Sequence, residues 1–169
     1  MTSAGVVVWF TGLPASGKTT LANHVRDRLV PRASCVLLDS DELRDVLGEH
    51  AYATADRDAF YRTLCKLATL LARQGHIVLV AATAPRRAHR DHARAEAPSF
   101  VEVYVRAPLD ECEARDVKGL YARARTGNAD TLPGVGAPYE PPLAPDVIAE
   151  GGFDADAAAT IDRLVTCRS

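Results

Sequence analysis

The chain alternates short, β-branched apolar runs with longer stretches in which apolar residues recur at helical spacing. Val6–Phe10 predicts a first strand, and Thr19–Leu29, stopped by Pro31, predicts a first helix. Cys35–Leu38 reads as a short second strand, and Asp41–Leu47 as one or two helical turns closed by Gly48. Over Asp56–Arg73, residues Phe60, Leu64, Leu67, Leu70 and Leu71 form a single stripe that Gly75 ends. Ile77–Val80 is continuously apolar, as a parallel strand covered on both faces must be. A charged helix over Arg86–Arg94, a strand over Phe100–Val105 and a helix opening at Pro108–Arg115 follow. From Asp116 to Pro145 the periodicity fades and Gly and Pro accumulate. Asp146–Ala149 predicts a last strand, and Asp154 is placed to cap a final helix reaching about Val165. Strands alternating with helices imply an α/β fold, a doubly wound parallel sheet with helices on both faces. No internal repeat or linker interrupts the pattern, so one domain over residues 1–169 is expected.

Composition narrows the class. A length of 169 residues accommodates one sizeable core. A net charge of −2 lacks the basic surplus of a nucleic-acid binder, so no nucleic-acid partner is expected. Cys35, Cys65, Cys112 and Cys167 are scattered with no C-x-x-C pair, and read as reduced thiols rather than a disulfide frame. No apolar run approaches the roughly 18 residues of a membrane span, and no cationic, apolar leader opens the chain. The expectation is a cytoplasmic protein with no membrane partner.

Between the first strand and first helix stands Gly12-Leu13-Pro14-Ala15-Ser16-Gly17-Lys18-Thr19, a complete G-x-x-x-x-G-K-[ST] phosphate loop. Its glycines allow the backbone to curl so that successive N–H groups point at phosphate oxygens. The following helix adds its positive N-terminal end. The loop, with Gly12, Ala15, Ser16, Gly17, Lys18, Thr19 and Thr20, implies a bound nucleoside triphosphate. Lys18 is suited to the β/γ-phosphates and the Thr19 hydroxyl to Mg²⁺. Ligands of such sheets sit outside the carboxyl ends of the strands. Four segments therefore gather near the loop: Asp39–Arg44, Ala81–Arg90, the residues after Val105, and the segment from Asp116 onward. A Gly/Pro-rich segment of that length is unusual in a compact domain unless it works as a lid. The lid is placed at about 116–145, and Arg115, Lys118, Arg123 and Arg125 supply cations able to fold over phosphates.

Three absences refine this reading. No N-K-x-D occurs for guanine, the one D-x-x-G string (Asp45–Gly48) lies in a helical stretch, and Val80-Ala81-Ala82 ends its strand without an acid. Carboxylates stand instead after the second strand, as Asp39-Ser40-Asp41. One can hold Mg²⁺ while the other faces an acceptor hydroxyl, which are the two tasks of phosphoryl transfer. Capping of the short helix is a second, compatible role. Arg86, Arg87, Arg90 and Arg94, with His89 and His92 between them, suit either anion steering or a solvated helix face. Two histidines without a third ligand do not make a metal site.

Several segments resemble adenylylsulfate kinase: Leu37-Leu38-Asp39-Ser40-Asp41-Glu42-Leu43-Arg44, Ala55-Asp56-Arg57, Pro85-x-Arg87-x-x-Arg90 and Pro138-Tyr139-Glu140-Pro141-Pro142. The most distinctive is Cys112-Glu113-Ala114-Arg115-Asp116-Val117-Lys118-Gly119-Leu120-Tyr121. The resemblance implies a P-loop kinase fold and transfer of the γ-phosphate of ATP to the ribose 3′-hydroxyl of adenosine 5′-phosphosulfate. It implies that Lys18 and Thr19 hold ATP·Mg²⁺, with Arg115 beside the nucleotide. Asp39 and Asp41 would serve the metal and the 3′-hydroxyl, with Asp41 the candidate base. Arg44 and Arg57 would pair with the acceptor's 5′ anionic group. Tyr52 would stack on the acceptor base, and Lys118 would close from the lid. The family is commonly homodimeric, which makes a homodimer the expected assembly.

The chain also departs from the family pattern. Ser40 and Glu42 replace the glycine and asparagine of D-G-D-N, and Phe60 stands where an acceptor-binding asparagine is expected. Ala84 replaces a serine, so a phosphoserine intermediate is impossible at that position and direct in-line transfer is implied. Leu132-Pro133-Gly134-Val135 replaces F-T-G-I and removes the second aromatic face for the base. Loss of one stacking face costs on the order of 1–3 kcal/mol. These acceptor-site positions (Phe60, Ala84 and Leu132) leave open an enzyme that phosphorylates the ribose hydroxyl of another 5′-modified nucleotide. A catalytically silent nucleotide-binding regulator is disfavoured, because Lys18, Asp39, Asp41, Arg44 and Arg57 are all retained.

Overall fold

The computed structural model describes residues 5–49, 53–116, 118–128 and 132–168. Its centre is β1 (Val6–Thr11), whose six residues are all buried. It pairs in parallel with β3 (Ile77–Ala81) on one side and β4 (Phe100–Val105) on the other. Val8 lies opposite both Leu79 and Val101. β2 (Cys35–Asp39) and β5 (Val147–Ala149) flank them, giving the parallel order β2-β3-β1-β4-β5. The doubly wound sheet expected from the alternation of runs is the one observed.

Because side chains alternate across a strand, β1 feeds two cores. Val6, Val8 and Phe10 face α1 (Lys18–Leu29) and α7 (Ala155–Arg168), through Leu21, Val25, Ile161 and Val165. Val7 and Trp9 face α3 (Thr54–Arg73), through Phe60, Leu64 and Ala68. Parallel neighbours must be joined across a face of the sheet, which accounts for helices on both sides. α2 (Ser40–Leu47) follows β2 directly, and α4 (Arg87–Glu96) and α5 (Leu109–Arg115) follow β3 and β4.

Element ends differ from the expected ones by a few residues. The larger difference is in the segment from Asp116 to Pro145, which contains α6 (Leu120–Arg123) and a π-type turn over Ala124–Asn128. The Asp116 carboxylate accepts from the Tyr121 and Ala122 amides at 3.0 and 2.9 Å. That cap is a local polar device, invisible to hydrophobic periodicity. The Asp154 cap occurs as expected, its carboxylate accepting from the Ala157 amide at 2.9 Å.

The basic cluster of α4 builds structure rather than lining a ligand surface. Arg90 is 1% exposed and donates to Glu102 Oε1 at 2.9 Å, to the Glu140 carbonyl at 2.6 Å and to the Ala84 carbonyl. Arg94 pairs with Glu102, and Arg86 with Asp58. Arg87 donates to the Pro141 carbonyl at 2.9 Å. His89 Nε2 meets Asp58 at 2.7 Å, and its ring lies 4.6 Å from that of Tyr61. Among the described residues no three His, Cys, Asp or Glu side chains gather around a common point that could hold a metal, and Cys35, Cys65, Cys112 and Cys167 are free thiols.

Burial lowers the pKa of His89 below its usual 6.5, against the opposing pull of Asp58. The unfolded chain therefore takes up the proton first, and stability that is whole above pH 6.5 drains as pH falls toward the folded value. The thermal midpoint is expected to drop between pH 7.5 and 5.5. His89→Gln should flatten that dependence, as calorimetry at stepped pH will show.

Candidate active site

At the carboxyl edge of the sheet the phosphate loop wraps between β1 and α1. Three observations show why this sequence is required. A Cβ on Gly12 would come within 2.4 Å of the Val105 carbonyl, and Gly17 adopts φ 101°, a left-handed turn that starts α1. Ala15 also lies at positive φ (60°). Such strain in a non-glycine residue is characteristic of functional loops. Lys18 Nζ bridges back to the Gly12 and Leu13 carbonyls at 3.1 and 2.7 Å. Burial lowers its pKa to about 8, partly countered by Asp41 and Asp39. A desolvated ammonium in this position favours a polyanion that compensates its charge. The Ser16 hydroxyl is buried and lacks a hydrogen bond among the described residues, a donor fitted to a phosphate oxygen.

Asp39 closes β2 and caps α2, with Oδ1 accepting from the Asp41 amide at 2.9 Å and the Glu42 amide at 3.4 Å. Its other oxygen accepts the Thr19 hydroxyl at 2.5 Å. A hydroxyl and a carboxylate so juxtaposed are the hard oxygen donors that suit Mg²⁺, which keeps waters and takes substrate oxygens for its remaining positions. The Thr19 and Asp39 assignments therefore fit the metal. Asp41, in the first turn of α2, forms an ion pair with Lys118 across the cleft.

The cleft measures about 1330 Å³, above the roughly 300–1,000 Å³ typical of one small-ligand pocket. It has room for two nucleotides. Ala15, Gly17, Lys18, Thr19 and Thr20 form its floor, while Gly12 and Ser16 lie buried beneath. Asp39, Asp41 and Arg44 form one wall, joined by Arg57 and Tyr61 from α3. Arg115, Lys118, Arg123 and Leu132 approach from the opposite side. Arg115 Nη1 reaches the Ala15 carbonyl at 3.4 Å. Arg125 turns away to Glu113 and does not line the cleft.

Two sequence assignments need correction. Phe60 is fully buried and does not line the cleft, because the α3 stripe points it into the core, where its ring lies under the Arg44 guanidinium. Ala84 is also fully buried, its amide donating to the Tyr61 hydroxyl at 3.0 Å and its carbonyl accepting from Arg90. Tyr52 lies outside the described residues.

One wall escaped the sequence reading. Glu150-Gly151-Gly152-Phe153-Asp154, between β5 and α7, borders the cleft beside Thr20. The loop packs so tightly that a Cβ on Gly152 would stand 2.7 Å from Thr20 Cβ and 2.9 Å from the Gly17 carbonyl. The paired glycines after the last strand were the available signal, since that strand ends at the same sheet edge as the phosphate loop.

The family model for adenylylsulphate kinase matches residues 4–150. The chain belongs to this family. An adenylyl-sulfate kinase of Synechococcus sp. (strain JA-3-3Ab) is 47% identical over 146 residues, covering 85% of this chain and 83% of the relative. The solved structure of the Mycobacterium tuberculosis APS kinase CysC, in complex with AMPPNP and APS, is 40% identical with a TM-score of 0.87. It covers 96% of this chain and 98% of that one. A hexameric APS kinase from Thiobacillus denitrificans is 28% identical with a TM-score of 0.67, covering 96% of this chain and 28% of that one. The family match spans both the phosphate loop and the wall of Asp39, Asp41, Arg44 and Arg57.

Gly152→Ala should push the β5–α7 loop off the phosphate loop and raise the Kd for a non-hydrolysable ATP analogue about tenfold. Titration calorimetry measures this directly, and an unchanged Kd would show that the loop bears no part of nucleotide binding.

Proposed function

We propose that this chain transfers the γ-phosphoryl group of ATP to the ribose 3′-hydroxyl of adenosine 5′-phosphosulfate. The observation that carries the reading is one cleft in which a complete phosphate loop faces Asp41, Arg44 and Arg57 across the Thr19–Asp39 pair. The solved Mycobacterium tuberculosis relative holds both an ATP analogue and APS, and membership of the family supports the same pairing of substrates here.

Each residue has a chemical task. Lys18 and the loop amides hold the polyphosphate and neutralise charge that grows on the transferring group. Thr19 and Asp39 hold Mg²⁺, which supplies further neutralisation of the phosphate oxygens when bound. Asp41 accepts the proton of the attacking hydroxyl, for which it must exchange its Lys118 partner for the substrate. Arg44 and Arg57 grip the acceptor's 5′ anionic group with their planar forks. Ala84 has no nucleophile, so transfer is direct and in line. Residues 116–145 act as the lid, bringing Lys118 and Arg123 over the phosphates and Leu132 to the acceptor. The reading includes one domain over 1–169 in the cytoplasm and a homodimer. No helix among the described residues is long and apolar enough to cross a membrane, and the Thiobacillus relative's hexameric state supports self-association.

A second reading keeps the chemistry and changes the acceptor to another 5′-substituted nucleotide. It is favoured by Leu132, which lines the cleft with an aliphatic side chain where the family pattern has an aromatic one.

An ATP-dependent assay over a panel of 5′-substituted nucleotides decides between the two. The sulfated nucleotide should show the highest kcat/KM, and a much higher value for another acceptor would select the second reading. Lys18→Ala should abolish transfer. Asp41→Asn should lower kcat about 10²–10⁴-fold with little change in ATP affinity. Full turnover by Asp41→Asn would remove it as the base.

A further inference from the structure

We infer that Phe60 is a positioning residue for acceptor binding: its buried ring is the platform that sets the Arg44 guanidinium for the acceptor's 5′ anionic group. The inference rests on the preceding assignment of Arg44 to that group and adds a residue that never meets substrate. Arg44 Cζ lies 3.7 Å from the centre of the Phe60 ring, close face-on contact for a cation and an aromatic ring. The ring is 0% exposed and Arg44 is 5% exposed, so water screens the contact little. A guanidinium stacked on a ring keeps its N–H donors in its own plane, at the rim of the stack, where an anionic group can meet them. Stacking and anion binding therefore do not compete.

The surroundings place the platform. Arg44 sits on α2, an eight-residue helix whose Val46 and Leu47 are exposed at 80% and 44%. Its Nη1 contact to the Glu49 carbonyl is long, at 3.4 Å. An arginine side chain loses much rotamer freedom when fixed. A ring beneath it takes that loss during folding, so it does not weigh on substrate binding. Phe60 is held in turn by α3, with its edge against Tyr61 at a centroid distance of 5.5 Å and an interplanar angle of 68°. Arg57 stands three residues earlier on the same helix, on the same face. One twenty-residue helix thereby registers both cations of the acceptor wall, Arg57 directly and Arg44 through the ring.

The test replaces Phe60 in the full-length chain by 3,4,5-trifluorophenylalanine and then pentafluorophenylalanine. These nearly preserve ring shape while draining the negative face. The KM for adenosine 5′-phosphosulfate should rise in step with fluorination, by about three- to thirtyfold across the series, while kcat and the ATP KM stay within about twofold. Phe60→Leu should move the acceptor KM the same way, and should add nothing in an Arg44→Ala background. An acceptor KM indifferent to fluorination overturns the inference, as does a joint rise of both KM values with a fall in thermal midpoint. If the unmodified chain phosphorylates a different nucleotide, the preceding reading falls. The platform is then judged on that nucleotide's KM by the same criterion.

Discussion

Complete burial of β1 is the constraint from which the site follows. A strand with both faces covered and both edges paired has one exit for its chain at the carboxyl end, between the layers of helices. The loop that leaves it must turn sharply into α1 past the Val105 carbonyl, which only glycine at position 12 permits. Parallel pairing brings the ends of β2, β3 and β4 to the same edge. The Asp39 carboxylate is thereby delivered to Thr19 by sheet register, with no contact between their own helices needed to place it.

A second organising element is Arg90. Its guanidinium satisfies a carboxylate on β4, the Ala84 carbonyl after β3 and the Glu140 carbonyl near the far end of the 116–145 segment. A buried charge of this kind is tolerated only when hydrogen-bonded on all sides, and removing one partner is strongly destabilising. Tyr139 adds a 3.1 Å bond to Thr11 at the end of β1, and Glu140 accepts from the Arg87 amide at 2.7 Å. The Pro-Tyr-Glu-Pro-Pro string thus clamps one end of the 116–145 segment to the sheet. The other end leaves α5 beside the phosphate loop, where the Tyr121 hydroxyl donates to the Pro14 carbonyl at 2.8 Å. The cations between these anchors can reach the cleft without the segment leaving the fold.

The two halves of the cleft obey different physics. On the phosphate-loop side the cleft is built from curled backbone, one desolvated lysine and a hydroxyl–carboxylate pair. On the opposite wall, two arginines are presented from two helices and held by neighbouring side chains. Tyr61 shows such a support: its hydroxyl binds the Ala84 amide in a segment where Ala84 itself adopts positive φ, 41°. The departures from the family pattern at Phe60 and Ala84 therefore lie behind the cleft wall, where they alter how it is held.

The strands, the major helices and the phosphate loop were legible in the chain because each depends on spacing within a few residues. Val6–Phe10, the α3 stripe and Gly12–Thr19 needed no distant partner to be recognised. The Asp39/Asp41 pair was legible too, since it abuts a strand end. What spacing could not decide was direction and partnership. Whether the arginines of α4 steer anions or bind the scaffold depends on Asp58, Glu102 and Glu140, which are remote in sequence and meet them only after the layers pack. The same holds for Phe60, which a one-dimensional pattern placed at the substrate and which tertiary packing set beneath Arg44. The β5–α7 wall, too, exists only because β5 pairs with β4 and so ends beside Thr20. Local chemistry is written in adjacent residues, while the surface a side chain faces is set by contacts between residues the sequence keeps far apart.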